Sequence, residues 1–115
     1  MKNIHLHELK SPLYLEDTAR FISYFWGIEL KQKGRYYVGH CPFHPDTRPS
    51  FYLHCARGTV RFKCFNDKCN GSWDIFALIQ EIKNCSFIEA VKLFGRYLKV
   101  KEVILPSGDV IRTDD

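Results

Sequence analysis

The chain has 115 residues, 45% of them hydrophobic and 26% charged, with a formal net charge of +4. That length suits one domain with a modest core, and that composition excludes a disordered tail. No apolar run approaches transmembrane length and Met1-Lys2-Asn3-Ile4-His5 lacks a signal-peptide core, so no membrane association and a cytoplasmic location are expected.

Residues 1–14 read as an N-terminal leader, loose over residues 1–11. From Leu15 to Trp26 the apolar positions Leu15, Ala19, Ile22, Phe25 and Trp26 recur at helical spacing, and Gly27 is the expected stop. Ile28 to Gln32 and Tyr36 to His40 read as short strands around a turn at Lys33-Gly34. Pro42, Pro45 and Pro49 make the next segment a loop. Phe51 to Cys55 and Thr59 to Lys63 form a second predicted hairpin, turning through Ala56-Arg57-Gly58. Asn70-Gly71-Ser72 is a turn, and Asp74 is placed to cap a helix reaching about Lys83, with Ile75, Leu78, Ile79 and Ile82 inward. Ser86-Phe87-Ile88-Glu89 is a capping-box signature for a last helix with Phe87, Val91, Phe94 and Leu98 on one stripe. Residues 15–99 are thus one expected domain. Residues 100–115, alternating about Pro106-Ser107-Gly108-Asp109, are a C-terminal hairpin or linker.

The chemistry concentrates in the middle. Cys41-Pro42-Phe43-His44 is a Cys-x-x-His turn, answered by Cys64 and Cys69 in a Cys-x4-Cys turn. Paired thiol and imidazole ligands on two turns describe a four-coordinate zinc site, and in a reducing compartment five cysteines suit metal better than disulfides. His40, His54, Cys55 and Cys85 are the other candidate donors; His40 adjoins Cys41 and is expected to point away. Four protein ligands leave no position for a reacting water, and no HExxH motif supplies a base, so one structural Zn2+ is expected. Between Lys31 and Lys68, Lys31, Lys33, Arg35, Arg48, Arg57, Arg61, Lys63 and Lys68 face only Asp46 and Asp67 in charge. A basic field of that kind favours polyanions, nucleic acid first.

The run Gly34-Arg35-Tyr36-Tyr37-Val38-Gly39-His40-Cys41-Pro42-Phe43-His44, with Thr47-Arg48-Pro49-Ser50-Phe51 and Phe62-Lys63-Cys64-Phe65, resembles the N-terminal zinc-binding domain of bacterial DnaG-type primases. The resemblance covers residues 15–99. It implies an α+β fold in which a zinc ribbon, a small antiparallel sheet, is flanked by helices. It also implies a non-catalytic module that engages single-stranded DNA in primer initiation, with polymerising chemistry in another domain. The x4 spacing of Cys64 and Cys69, Trp73 where the family has glycine, and Ala77 where it often has an acid mark a divergent member.

Arg35, Tyr37, Arg48, Tyr52, Arg61 and Lys63 mix phosphate-binding cations with stacking aromatics and are the candidate DNA-binding residues. Strand alternation sets Phe62 in the core and Arg61 on the opposite face, with Phe43 and Phe51 also in the core. The alternative is a protein-interaction ribbon, exposing Trp26 or Trp73, that docks on a primase catalytic subunit, a replicative helicase or another replication factor. Either module is compatible with a phage, plasmid or transposable element. No paired catalytic carboxylates, nucleophile triad or phosphate loop points to an independent enzyme.

Overall fold

A computed structural model describes residues 3–45 and 48–114. From Asn3 onward the leader is not loose. Asn3–His5 forms strand β1, and two 3-10 turns, Leu6–Lys10 and Pro12–Tyr14, carry the chain onward. Ile4 and Leu9 are buried, which anchors this segment. Its strand partner lies almost the whole chain away, a contact that no local pattern announces.

Helix α1 spans Leu15–Trp26. Thr18 Oγ1 donates to the Tyr14 carbonyl at 2.7 Å, and Glu16 and Asp17 complement the positive end of the helix. Gly27, at φ 65°, ends it in the left-handed conformation that a residue without Cβ tolerates. The inner face differs from expectation at two places. Phe21 is fully buried, with ring centroids 5.0 Å from Phe94 and 5.5 Å from Trp26, whereas Phe25 is 41% exposed.

Five antiparallel strands follow: β2 (Leu30–Lys33), β3 (Tyr36–Gly39), β4 (Phe51–Ala56), β5 (Thr59–Cys64) and β6 (Ser72–Trp73), ordered β2-β3-β4-β5-β6. The first hairpin closes through Gly34-Arg35, one residue later than the sequence suggests, with Lys33 opposite Tyr36. The second closes through Arg57-Gly58, both at positive φ (53° and 77°), the requirement of a two-residue turn that follows strand twist. On the inner face one cross-strand row runs Leu30, Gly39, Phe51, Cys64, and the next Gln32, Tyr37, Leu53, Phe62, Trp73. Phe51, Leu53 and Phe62 are fully buried there. Trp73, which the protein-interaction alternative would expose, is core as well: its indole packs 4.9 Å from Phe43 and 6.0 Å from Phe51.

Helix α2 (Ile75–Lys83) begins at Asp74, whose Oδ1 accepts from the Ala77 N–H at 2.8 Å. Asp74 also meets Lys10 at 3.5 Å, tying the N-terminal segment to this helix. Helix α3 (Phe87–Tyr97) is capped by Ser86, which accepts from the Glu89 N–H at 3.1 Å. Phe76 and Phe94 join the two helices to the Phe21 cluster. The tail forms β7 (Glu102–Ile104) and β8 (Val110–Arg112), antiparallel to one another. β7 pairs in parallel with β1, giving a second sheet ordered β1-β7-β8. Thr113 is buried and donates to the Val100 carbonyl at 2.6 Å, while Arg96 donates to the Thr113 carbonyl at 2.7 Å. Among the described residues no helix is long and apolar enough to cross a membrane.

Candidate metal centre and nucleic-acid interface

The inner end of the five-stranded sheet gathers Cys41, His44, Cys64 and Cys69, with their ligand atoms all within 4.8 Å of one another. Cys41 follows β3 and His44 sits one turn later, while Cys64 ends β5 and Cys69 closes the loop beyond it. The Cys41 and Cys69 sulfurs are 3.9 Å apart, and His44 Nε2 is 3.2 Å from the Cys64 sulfur. A tetrahedral zinc with Zn–S near ~2.3 Å needs sulfurs about 3.8 Å apart, so the donor set fits that ion. His44 Nδ1 lies 2.8 Å from the Pro45 carbonyl. With metal bound, a proton held there would leave Nε2 as the lone-pair nitrogen, which is how ligating histidines are usually oriented. No other group of three or more His, Cys, Asp or Glu side chains among the described residues could hold a metal. Cys55 is exposed, Cys85 is half-buried and His40 is exposed, all outside the group.

Backbone hydrogen bonds build the second turn. The Cys64 N–H donates to the Gly71 carbonyl at 2.9 Å, and the Cys69 N–H to the Asn66 carbonyl at 3.0 Å. A Cβ at Gly71 would run into the Trp73 indole, so only glycine permits this approach. Without metal the thiols are unequal. Burial pushes Cys41 up to about 12, aided by Cys64 and Cys69 and opposed by the Phe43 backbone. Burial also raises Cys64, but hydrogen bonds from His44, the Asn66 backbone and Ser50 outweigh it and bring Cys64 down to about 7. Cys64 is therefore readier than Cys41 to meet a metal as thiolate.

The outer face of the same sheet is different in kind. One row runs Lys31, Val38, Tyr52, Lys63, Ser72. Beside it lie Lys33 opposite Tyr36 and His54 opposite Arg61. These rows hold four lysines or arginines and no carboxylate. Tyr52 is the hub of an aromatic platform, 5.3 Å from Tyr36 and 5.2 Å from Phe65 between ring centroids. Lys63 Nζ stands 5.8 Å above the Phe65 ring, and Tyr36, Tyr52, His54 and Phe65 line one shallow, mainly apolar depression. Arg61 and Lys63 are steadied by neutral partners: Arg61 donates to Ser72 Oγ at 3.1 Å, Lys63 to Asn70 Oδ1 at 2.9 Å.

Of the six DNA-binding candidates, Tyr52, Arg61 and Lys63 share this face. Arg35 is exposed at the β2–β3 turn, and Arg48 borders a separate cleft beside the Cys64–Cys69 loop. Tyr37 is on the inner face, opposite Leu53, where it lines a cleft with Glu16 and Arg20 of α1. Burial and then the Glu16 charge raise its phenol above the ordinary value, against a smaller opposing effect of Arg20. Tyr36, His54 and Phe65 are the residues that sequence reasoning missed. Tyr36-Tyr37 offers no alternation to choose by; the two-residue turn at Gly34-Arg35 makes the choice.

A small antiparallel sheet holding a closed Cys3His group defines a structural zinc ribbon. Residues 7–105 match the CHC2 zinc finger family, the DnaG zinc ribbon, and the chain belongs to that family. It carries the primase-like zinc-binding fold with one structural zinc. It is 38% identical over 74 residues to a DNA primase of Staphylococcus epidermidis, covering 64% of this chain and 12% of that protein. The DNA primase of Staphylococcus aureus is 40% identical over 73 residues, with 64% and 12% covered. The crystal structure of the Aquifex aeolicus primase, zinc-binding and RNA polymerase domains, matches with a TM-score of 0.52 at 30% identity, covering 72% of this chain and 21% of that one. The chain thus spans about 12% of the length of these curated relatives.

Proposed function

We propose that this chain is a zinc-stabilised module that binds single-stranded DNA and serves primer initiation in DNA replication, with Cys41, His44, Cys64 and Cys69 as zinc ligands. The observation that carries the reading is the outer face: Tyr36 and Phe65 each in ring contact with Tyr52, framed by Lys31, Lys33, Arg61 and Lys63. Unpaired bases stack on such rings at about 1–3 kcal/mol each, while the cations track phosphates without regard to sequence. The zinc supplies rigidity: it pins the ends of β3 and β5, and with four protein ligands it leaves no place for a reacting water. The relatives named as DNA primases agree with this role. The test is a titration of zinc-loaded protein with a labelled single strand at several salt concentrations. Affinity should fall steeply with salt, with a log–log slope of about −0.7 per phosphate engaged. No binding, or binding indifferent to salt, refutes the reading.

A second reading, docking on a primase catalytic subunit or a replicative helicase, is favoured by the end of α1. Tyr24 is 77% exposed and meets Phe25, itself 41% exposed, edge-on with ring centroids 5.1 Å apart. The two readings use opposite sides of the sheet and are compatible. Tyr24→Ala separates them, weakening partner capture while leaving strand affinity unchanged.

A further inference from the structure

The loop from Cys64 to Cys69 is two residues longer than a Cys-x-x-Cys knuckle, and the metal does not need the addition. Asn66 folds it. Its Oδ1 accepts from the Lys68 N–H at 2.9 Å, and its carbonyl accepts from the Asn70 N–H at 2.8 Å. The Phe65 N–H donates to the Ser50 carbonyl at 2.9 Å, which fastens the loop to the segment before β4. Between the two lies a cleft of about 450 Å³ walled by Arg48, Pro49 and Ser50 on one side and Phe65 to Lys68 on the other. That volume is within the usual ligand-pocket range. Phe65, 60% exposed, lines both this cleft and the Tyr36–Tyr52–His54 depression. A strand on the outer face reaches the cleft by passing one ring.

The lining selects a nucleotide over a bare anion. Arg48 and Lys68 provide two cations for a phosphate, and Phe65 provides a stacking surface. Asp67 carries only acceptors, so it repels a bare anion but accepts from a base amino group such as cytosine N4. We propose that the cleft holds one unpaired nucleotide of the bound strand, phosphate on Arg48 and Lys68, base on Phe65, with Asp67 favouring cytosine over thymine. The proposal rests on the strand-binding reading above and adds a reading position that the extended loop creates.

Anisotropy titrations of the zinc-loaded chain with oligo(dC) and oligo(dT) of equal length test it, with zinc content measured for each variant. The native chain should bind oligo(dC) about fivefold more tightly, and Asp67→Asn should bring the ratio to about one. Arg48→Gln with Lys68→Gln should weaken both oligonucleotides about tenfold and flatten the salt slope by about 0.7, one phosphate's worth. Lys101→Gln, outside the five-stranded sheet, is the charge control. A base preference unchanged by Asp67→Asn, or a double variant with full zinc that loses no more than twice what Lys101→Gln loses, overturns the proposal alone. A native chain that binds neither oligonucleotide overturns the strand-binding reading and this proposal together.

Discussion

Adjacent tyrosines on opposite faces of one strand give the sharpest test of the interface. Tyr36 faces outward and its ring lies 5.3 Å from Tyr52, whereas Tyr37 faces inward opposite Leu53 and beside α1. Tyr36→Ala removes one stacking surface while Tyr52 and Phe65 stay in contact 5.2 Å apart. The loss is therefore one platform member, about 1–2 kcal/mol or roughly five- to thirtyfold in affinity. Tyr37→Ala removes a half-buried ring, costing about 1–2 kcal/mol of stability, less than the ~3–5 kcal/mol of a fully buried aromatic. It should leave strand affinity within twofold. Anisotropy with a labelled single strand, alongside thermal unfolding and zinc stoichiometry, separates the two effects. If Tyr37→Ala, folded and fully loaded with zinc, loses as much affinity as Tyr36→Ala, the assignment of the strand to the outer face is wrong.

The zinc site predicts a pH dependence. Zinc takes thiolates, so loading releases protons and affinity rises with pH. Cys41, pushed up to about 12, must shed a proton throughout the neutral range, and below about 7 Cys64 retains one as well. Affinity should therefore fall more steeply below pH 7 than above it, and calorimetry in buffers of different ionisation enthalpy should count at least one additional proton on the acid side; a constant count contradicts the assigned thiols. Chelation, or Cys69→Ser, should unfold the ribbon, read as loss of near-ultraviolet circular dichroism from the Trp73 cluster, because metal binding and folding are coupled in such sites. Asp74→Ala deletes both the α2 cap and the partner of Lys10, and should cost about 1 kcal/mol in denaturant unfolding, with full zinc content. Gly71→Ala forces a methyl group into the Trp73 indole and should cost about 1–3 kcal/mol, an overpacking penalty that Trp73→Phe in the same chain partly relieves.

Local chemistry carries the helices and the metal ligands. The apolar period of Leu15–Trp26, the Gly27 stop, and the Asp74 and Ser86 caps are each written within a few residues, and the helices start and stop where those signals stand. The same holds for Cys41, His44, Cys64 and Cys69: each pair occupies one short turn, so spacing alone brings its two side chains together. That the two pairs meet is read from the pattern of paired ligands on two turns, and the structure gathers their four donor atoms within 4.8 Å.

The rest depends on contacts distant in sequence. β1 pairs with β7 across nearly the whole chain, so a leader with no internal pattern becomes a strand only when Ile4 finds Val103. Trp73 looks like a surface aromatic until the close approach of Gly71 and the rings of Phe43 and Phe51 enclose it. The face of Tyr36 over Tyr37 is a matter of register, and a shift of one residue exchanges every side chain between core and solvent. By itself the amino-acid sequence determined a zinc-bearing ribbon with a basic, aromatic character, because ligands, caps and charge act at short range. Only the tertiary structure decided which face displays that character, because cross-strand register and burial are settled by all the strands and helices at once.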